Sequence, residues 1–185
     1  MGMAAPLYHT AEMVRALIDE TRHWPRYETV HGELLVTPAP RPWHQSVALG
    51  VATALTEYLR QERFGKVFMS PADISWGPDS LVQPDVFVVP LEEARTLAWP
   101  TIRTLLLAVE VLSPSSVRAD RFTKRRLYQE VGIPVYWVID ADACTTEIWT
   151  PLDRFPRMET ERLVWKAPEA SQPFELRLAE LLKPI

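Results

Sequence analysis

Apolar positions recur with two periods along the chain, and the switches between them mark the elements. Met13, Val14, Leu17 and Ile18 fall at helical spacing after Thr10, which predicts a capped helix running to about Glu20. Tyr27–Val30 and Glu33–Thr37 alternate around His31-Gly32, the composition of a hairpin turn. Pro38-Ala39-Pro40-Arg41-Pro42 suits neither a ladder nor a helix interior. It leads into a helix over about Trp43–Arg63 with Val47, Val51, Ala54, Leu55 and Tyr58 as its buried stripe. Lys66–Ser70 and Ala72–Trp76 read as short strands, Gly77-Pro78-Asp79-Ser80 as a turn, and Leu81–Val89 as one strand. Pro84 removes a ladder donor from that strand, so the pattern predicts an edge position or a bulge at Asp85. A brief helix over Glu92–Leu97 precedes the strand Leu105–Leu112.

The next helix, about Val117–Val131, is the most informative stretch. At 100° per residue Val117, Leu127, Tyr128 and Val131 form the core stripe, and Asp120 and Lys124 lie within roughly 60° of its centre. Both charges therefore face inward. Arg118, Arg121, Arg125 and Arg126 lie beside and behind the stripe as a basic flank, and Gly132 ends the helix. Val135–Asp140, Thr145–Thr150, Arg162–Lys166 and Phe174–Leu178 are strand-like, and Ala179–Leu182 closes in a short turn. The sum is an α/β fold with a central sheet flanked by helices. We expect one domain over 1–185, with an N-terminal helix and hairpin at about 8–40, a core at about 43–150 and C-terminal strands at 151–185.

Composition narrows the chemistry. With 47% hydrophobic residues in 185 the chain can bury a sizeable core. A formal net charge of -4 argues against a protein held on DNA by bulk positive charge, though a local basic patch stays compatible with it. The single Cys144 excludes an intramolecular disulfide and a cysteine-rich zinc site, and no cleavable signal or long apolar span is seen, so a cytoplasmic protein away from membranes is expected. GxSxG, P-loop, dinucleotide and HExxH motifs are absent.

Charge placed inside apolar elements is what remains to be explained. Glu110 closes the apolar run Leu105–Val109, so its carboxylate sits at the end of a buried strand and needs a partner or a metal. Asp85, Glu110 and the inward Lys124 form a set that suits Mg²⁺ or Mn²⁺, a hard cation that binds through one or two carboxylates and substrate phosphate. The Val111 carbonyl offers a further oxygen. Such a centre supports metal-assisted phosphodiester hydrolysis, with the lysine orienting or deprotonating the attacking water. The same residues also read as structural: Asp85 capping a turn, Glu110 paired with Lys124 or an arginine, and Asp120 set against a helix dipole.

Val82-Gln83-Pro84-Asp85-Val86, Leu107-Ala108-Val109-Glu110-Val111-Leu112-Ser113-Pro114-Ser115-Ser116, then Asp120, Lys124, Tyr128 and Gly132–Asp140 resemble the Uma family of putative restriction endonucleases, within the PD-(D/E)XK nuclease superfamily. Gly32-Glu33-Leu34, the Pro38 region, His44 and, more loosely, Leu176–Leu182 share the resemblance. It implies a restriction-endonuclease-like core with a mixed central sheet, a DNA substrate, and Asp85 and Glu110 as metal ligands. The superfamily lysine usually lies two residues after the second acid, where this chain has Leu112; the resemblance moves its role to Lys124 and also matches Asp120.

Secondary candidates follow. Glu33 is a further acid, although strand-start glutamates are commonly exposed. His44, near a helix start, is a cap or a phosphate contact. Ser113, Ser115 and Ser116 are phosphate contacts or caps, and Arg118, Arg121 and Arg125 would hold nucleic-acid backbone. Tyr128 and Trp137 read as core. Trp149, Phe155 and Trp165 are either core or the surface of a homodimer. The rival functions are a non-catalytic binding or assembly module that keeps the fold, and a hydrolase of small phosphate esters.

Overall fold

The computed structural model describes residues 7–18 and 24–183. Its elements are α1 (Ala11–Leu17), β1 (Arg26–Val30), β2 (Glu33–Thr37), α2 (Pro42–Glu62), β3 (Gly65–Met69), β4 (Ile74–Gly77), β5 (Ser80–Val82), β6 (Val86–Pro90), α3 (Leu91–Ala94), β7 (Leu107–Val111), α4 (Arg125–Glu130), β8 (Tyr136–Asp140), β9 (Thr145–Trp149), β10 (Arg157–Glu159), β11 (Arg162–Trp165), β12 (Phe174–Arg177) and α5 (Leu178–Leu181). The helix before β8 winds as a π-helix over Ala119–Lys124 and as an α-helix from Arg125. Thr10 caps α1 by accepting from the Met13 amide, as expected. Only Ala11 and Val14 of α1 are buried, while Met13, Leu17 and Ile18 face outward. The rest of the expected first helix, residues 19 and 20, lies outside the described residues. His31 and Gly32 both take positive φ, the geometry of a two-residue hairpin turn.

A six-stranded sheet runs in the order β10-β9-β8-β7-β6-β3, antiparallel except for β7 with β8. A parallel neighbour requires a crossover, and the π/α helix between β7 and β8 provides it. Side chains alternate across this sheet. Val86, Val88, Val109, Val111, Trp137 and Ile139 face one side, against α2 and the C-terminal elements; Phe87, Val89, Ala108, Tyr136 and Val138 face the other, with Leu127 and Tyr128. Burial on both faces is why β6 and β7 read as unbroken apolar runs. The same alternation puts Glu110 on the face of Ala108, under the crossover helix.

The expected strand Leu81–Val89 is two strands in two sheets. β5 belongs to a four-stranded antiparallel sheet, β2-β1-β5-β4, whereas β6 lies inside the large sheet between β3 and β7. Gln83-Pro84-Asp85 makes the passage. Proline has no amide hydrogen for a ladder, so the pairing stops there rather than bulging at an edge. This break holds Asp85 where the two sheets meet.

The C-terminal strands β11 and β12 form a two-stranded sheet. Trp165 and Phe174 join the core, as does Trp149, so these tryptophans are not a dimer surface; Phe155 stays 84% exposed. Gly132 ends α4 with φ +75°, its amide donating to the Gln129 carbonyl and that of Ile133 to the Tyr128 carbonyl, a Schellman arrangement. Among the described residues no helix is long and apolar enough to cross a membrane.

Candidate functional site

Lys124 is the hub of a buried charge cluster. Its Nζ lies 2.9 Å from Glu28 Oε1, 3.0 Å from Glu110 Oε1 and 3.5 Å from Asp120 Oδ1. An ammonium carries three hydrogens, and three carboxylates from three elements surround this one. The Tyr128 hydroxyl donates to Glu110 Oε1 at 3.1 Å, and that of Tyr136 to the Asp120 carbonyl at 3.0 Å. Asp120, Lys124 and Tyr128 are spaced by four. In an α-helix each such step turns the side chain by about 40°, fanning the three apart. The looser π winding over the first step reduces that drift and keeps Asp120 beside the lysine.

Burial by itself lowers the lysine pKa, but Glu110, Glu28 and Asp120 outweigh it and hold Lys124 charged, well above the ordinary lysine range. The acids go the other way. Burial pushes Glu110 well above the usual carboxylate range against the pull of Lys124, with Asp85, Asp120 and Glu28 adding repulsion. Asp120 is pushed up to about 6 by burial, again opposed by Lys124.

Asp85 is held differently. Its Oδ1 accepts from Arg26 at 3.2 Å, and its Oδ2 from the Val111 amide at 2.9 Å with His44 Nε2 at 3.0 Å. Pairing of β6 with β7 ends at Val86 and Val109, so the Val111 amide lies past the ladder and turns to Asp85. Extending that register sets Val111 opposite Pro84, which has no hydrogen for the Val111 carbonyl. Burial raises the Asp85 pKa, but the His44 hydrogen bond, Arg26 and Lys124 prevail and keep it ionised, below the usual carboxylate range. Arg26 also donates to Ser70 Oγ at 2.7 Å, and Ser70 Oγ to the Gln83 carbonyl at 3.1 Å. The Gln83 amide donates to Glu28 Oε1 at 2.7 Å, which anchors the strand-to-strand passage on β1.

A cavity of about 250 Å³ opens on this cluster. Its buried lining includes Arg26, Asp85, Ser116 and Asp120, and its more exposed lining includes Trp24, Pro38 and Leu49. Among the described residues no group of three or more His, Cys, Asp or Glu stands close enough to cage a metal ion. Mg²⁺ needs only one or two protein carboxylates, and the donor chemistry here fits that demand. Among the described residues, Glu28, Asp85, Glu110 and Asp120 face two permanent cations, Arg26 and Lys124. Fully ionised, they leave a local excess of negative charge, and Asp120 Oδ1 and Glu28 Oε2 are buried with no hydrogen bond, only ion-pair contacts at 3.5 Å to Lys124 and 3.7 Å to Arg26.

The structure therefore gathers Asp85, Glu110, Val111, Lys124, Asp120 and His44, with Ser113 on the cavity wall. His44 contacts Asp85, where a cap or a phosphate contact was expected. Glu33 is not brought in: it sits exposed at the start of β2. Glu28, on the neighbouring strand, takes the place expected of it. Two of the expected backbone-binding arginines are engaged within the chain. Arg121 bonds Glu147 at 2.5 Å and Asp140 at 3.2 Å, and Arg125 bonds Gln129 and lies over Trp149 at 4.7 Å. Arg118 remains exposed. Of the two roles expected of Lys124, orienting or deprotonating the attacking water, its three carboxylate partners favour the first, because they hold it protonated. Arg26 and Glu28 escaped the sequence reading. Their signal was period two: both share a strand face with the fully buried Val30.

The family model Uma2, described as putative restriction endonuclease, matches residues 11–179. Among solved structures, a putative nuclease belonging to DUF820 from Anabaena variabilis superposes with a TM-score of 0.75 at 19% identity, over 94% of this chain and 97% of that one. At that identity the likeness establishes the fold. No curated protein matches the chain.

Proposed function

The chain belongs to the Uma2 family of putative restriction endonucleases, and we propose on that footing that it is a divalent-metal-dependent endonuclease hydrolysing phosphodiester bonds in DNA. The observation that carries the reading is the pairing of an ionised Asp85 on the cavity wall with Glu110 and the charged Lys124 behind it. Asp85 and Glu110 would hold Mg²⁺ or Mn²⁺, with the Val111 carbonyl as an added oxygen. The cation supplies Lewis-acid polarisation of a phosphoryl oxygen and a more acidic water. The chain's own residues do the rest. Arg26 and His44 fix the Asp85 carboxylate, and Lys124 keeps Glu110 in place and offsets negative charge developing nearby. Ser113 and Ser116 line the same wall as hydroxyl partners for phosphate oxygens.

The test is cleavage of labelled DNA by purified protein in Mn²⁺ or Mg²⁺, with EDTA as the blank. Asp85→Asn, Glu110→Gln and Lys124→Met should each abolish a metal-dependent rate. Unchanged rates in Asp85→Asn and Lys124→Met would sink the mechanism. A non-catalytic module is favoured by one observation, the engagement of both Asp85 oxygens by three donors. That reading predicts no heat of metal binding in calorimetry and loss of stability alone in the variants.

A further inference from the structure

The cavity beside Asp85 has the wrong form for a duplex. At about 250 Å³ it falls just under the size range of small-ligand pockets, so it holds one ring system with its sugar and not a double helix. Much of its wall is apolar: Trp24, Pro38, Leu49 and Met69, with Leu49 59% and Trp24 36% exposed. Arg26 is its one permanently charged cation among the described lining residues, and that guanidinium is already bonded to Asp85 and Ser70. Duplex binding rests on neutralising phosphates with free Lys and Arg. This chain carries net charge -4, and of the three arginines expected to hold backbone beside the site Arg121 and Arg125 are engaged internally, which leaves Arg118 exposed. Single-stranded sites instead combine an aromatic or apolar platform for a base with a nearby phosphate contact. Enzymes that act within a duplex reach the same arrangement by extruding one nucleotide into a fitted pocket.

We propose that this cavity is a nucleobase subsite: one unpaired heteroaromatic base lies against Trp24, Pro38, Leu49 and Met69, which sets its phosphate beside Asp85 and Ser113. The substrate class is then single-stranded or locally unpaired nucleic acid in preference to intact duplex. This rests on the nuclease reading above and specifies what that site accepts.

The experiment uses the full chain and three fluorescein-labelled oligonucleotides of one sequence: a single strand, a fully paired duplex, and a duplex with one bulged nucleotide. Binding is read by anisotropy with Ca²⁺ replacing Mn²⁺, and cleavage in Mn²⁺. The single strand and the bulged duplex should bind about tenfold or more tighter than the paired duplex. Trp24→Ala, and Leu49→Trp at the exposed mouth, should each weaken single-strand binding by about fivefold or more without lowering the melting temperature, and Trp24→Phe should restore most of the Trp24→Ala loss. Equal handling of all three oligonucleotides, or indifference to both substitutions, overturns the subsite while leaving the nuclease reading standing. Failure to bind or cut any of the three overturns both.

Discussion

Lys124 Nζ stands 2.9 Å from Glu28 Oε1 on the N-terminal hairpin and 3.0 Å from Glu110 Oε1 on the central sheet, so one ammonium joins the two sheets. Glu28 Oε1 also accepts the Gln83 amide, at the strand-to-strand passage that positions Asp85. The charge cluster is thus part of the packing that brings β1, β7 and the crossover helix together. Its members should respond to mutation as a unit.

Removing the hub leaves three buried carboxylates without their shared cation. Lys124→Met should cost on the order of 3–5 kcal/mol near pH 8, the usual loss when one partner of a buried ion pair is deleted. The loss should shrink toward pH 5, because Glu110 and Asp120 take up protons and cease to be uncompensated charges. Urea melts at the two pH values measure it; an equal loss at both would show that the acids stay ionised.

Asp120 carries a cost of its own. Its pKa rises on folding from the ordinary 3.8 to about 6. The folded state therefore binds the proton more tightly, and the stability this brings is full below pH 3.8 and lost as pH climbs through 6. Above that range the ionised group burdens the fold by up to about 3 kcal/mol, since each tenfold change in proton affinity is worth roughly 1.4 kcal/mol. Asp120→Asn should accordingly stabilise the metal-free protein by about 1–3 kcal/mol at pH 8 and change little near pH 4. Thermal melts in EDTA across that range test the sign.

Much of this cluster could be seen in the sequence because helical phase is strict. Lys124 and Asp120 share a stripe with Leu127 and Tyr128, and no surface helix would put them there. Glu110 was visible because β7 is buried on both faces and tolerates no lone charge. Glu28 was not, because Arg26-Tyr27-Glu28-Thr29-Val30 alternates in a way that an exposed hairpin strand also shows, and only the second sheet packed on it decides. The change of sheets at Pro84 was hidden for a related reason. Both flanking segments are apolar, and apolar runs do not say which neighbours they pair with. The π winding of Ala119–Lys124 has no residue signature at all here.

Metal binding should stabilise the protein through Asp85. A ligand present at about a hundred times its dissociation constant adds about 2.7 kcal/mol. Mn²⁺ or Mg²⁺ should therefore raise the melting temperature of the native chain, EDTA should reverse the rise, and Asp85→Asn should abolish it. Affinity should increase from pH 5 to pH 8, because Glu110 and Asp120 hold protons at the lower value that a cation must displace. Differential scanning fluorimetry across metal concentration and pH reads both effects, and a metal-induced rise that survives Asp85→Asn would remove this residue from the ligand set.

The arginine flank should divide by function. Arg121 bridges Glu147 and Asp140 across the end of the sheet and is 28% exposed, so Arg121→Ala should cost about 1 kcal/mol, as for a partly screened bridge. It should leave nucleic-acid affinity and its salt dependence unchanged, because Nε and Nη2 are bonded to Glu147 and Asp140, whose carboxylates already offset the guanidinium charge. Arg118 is exposed six residues before the hub, and Arg118→Ala should do the reverse: no loss of stability, weaker binding to every oligonucleotide alike, and a salt slope smaller by about 1. Chemical melts paired with anisotropy titrations at several salt concentrations separate the two. If Arg121→Ala flattened the salt slope, the bridge to Glu147 and Asp140 would have to open on binding, and the helix face carrying Lys124 would have to move with it.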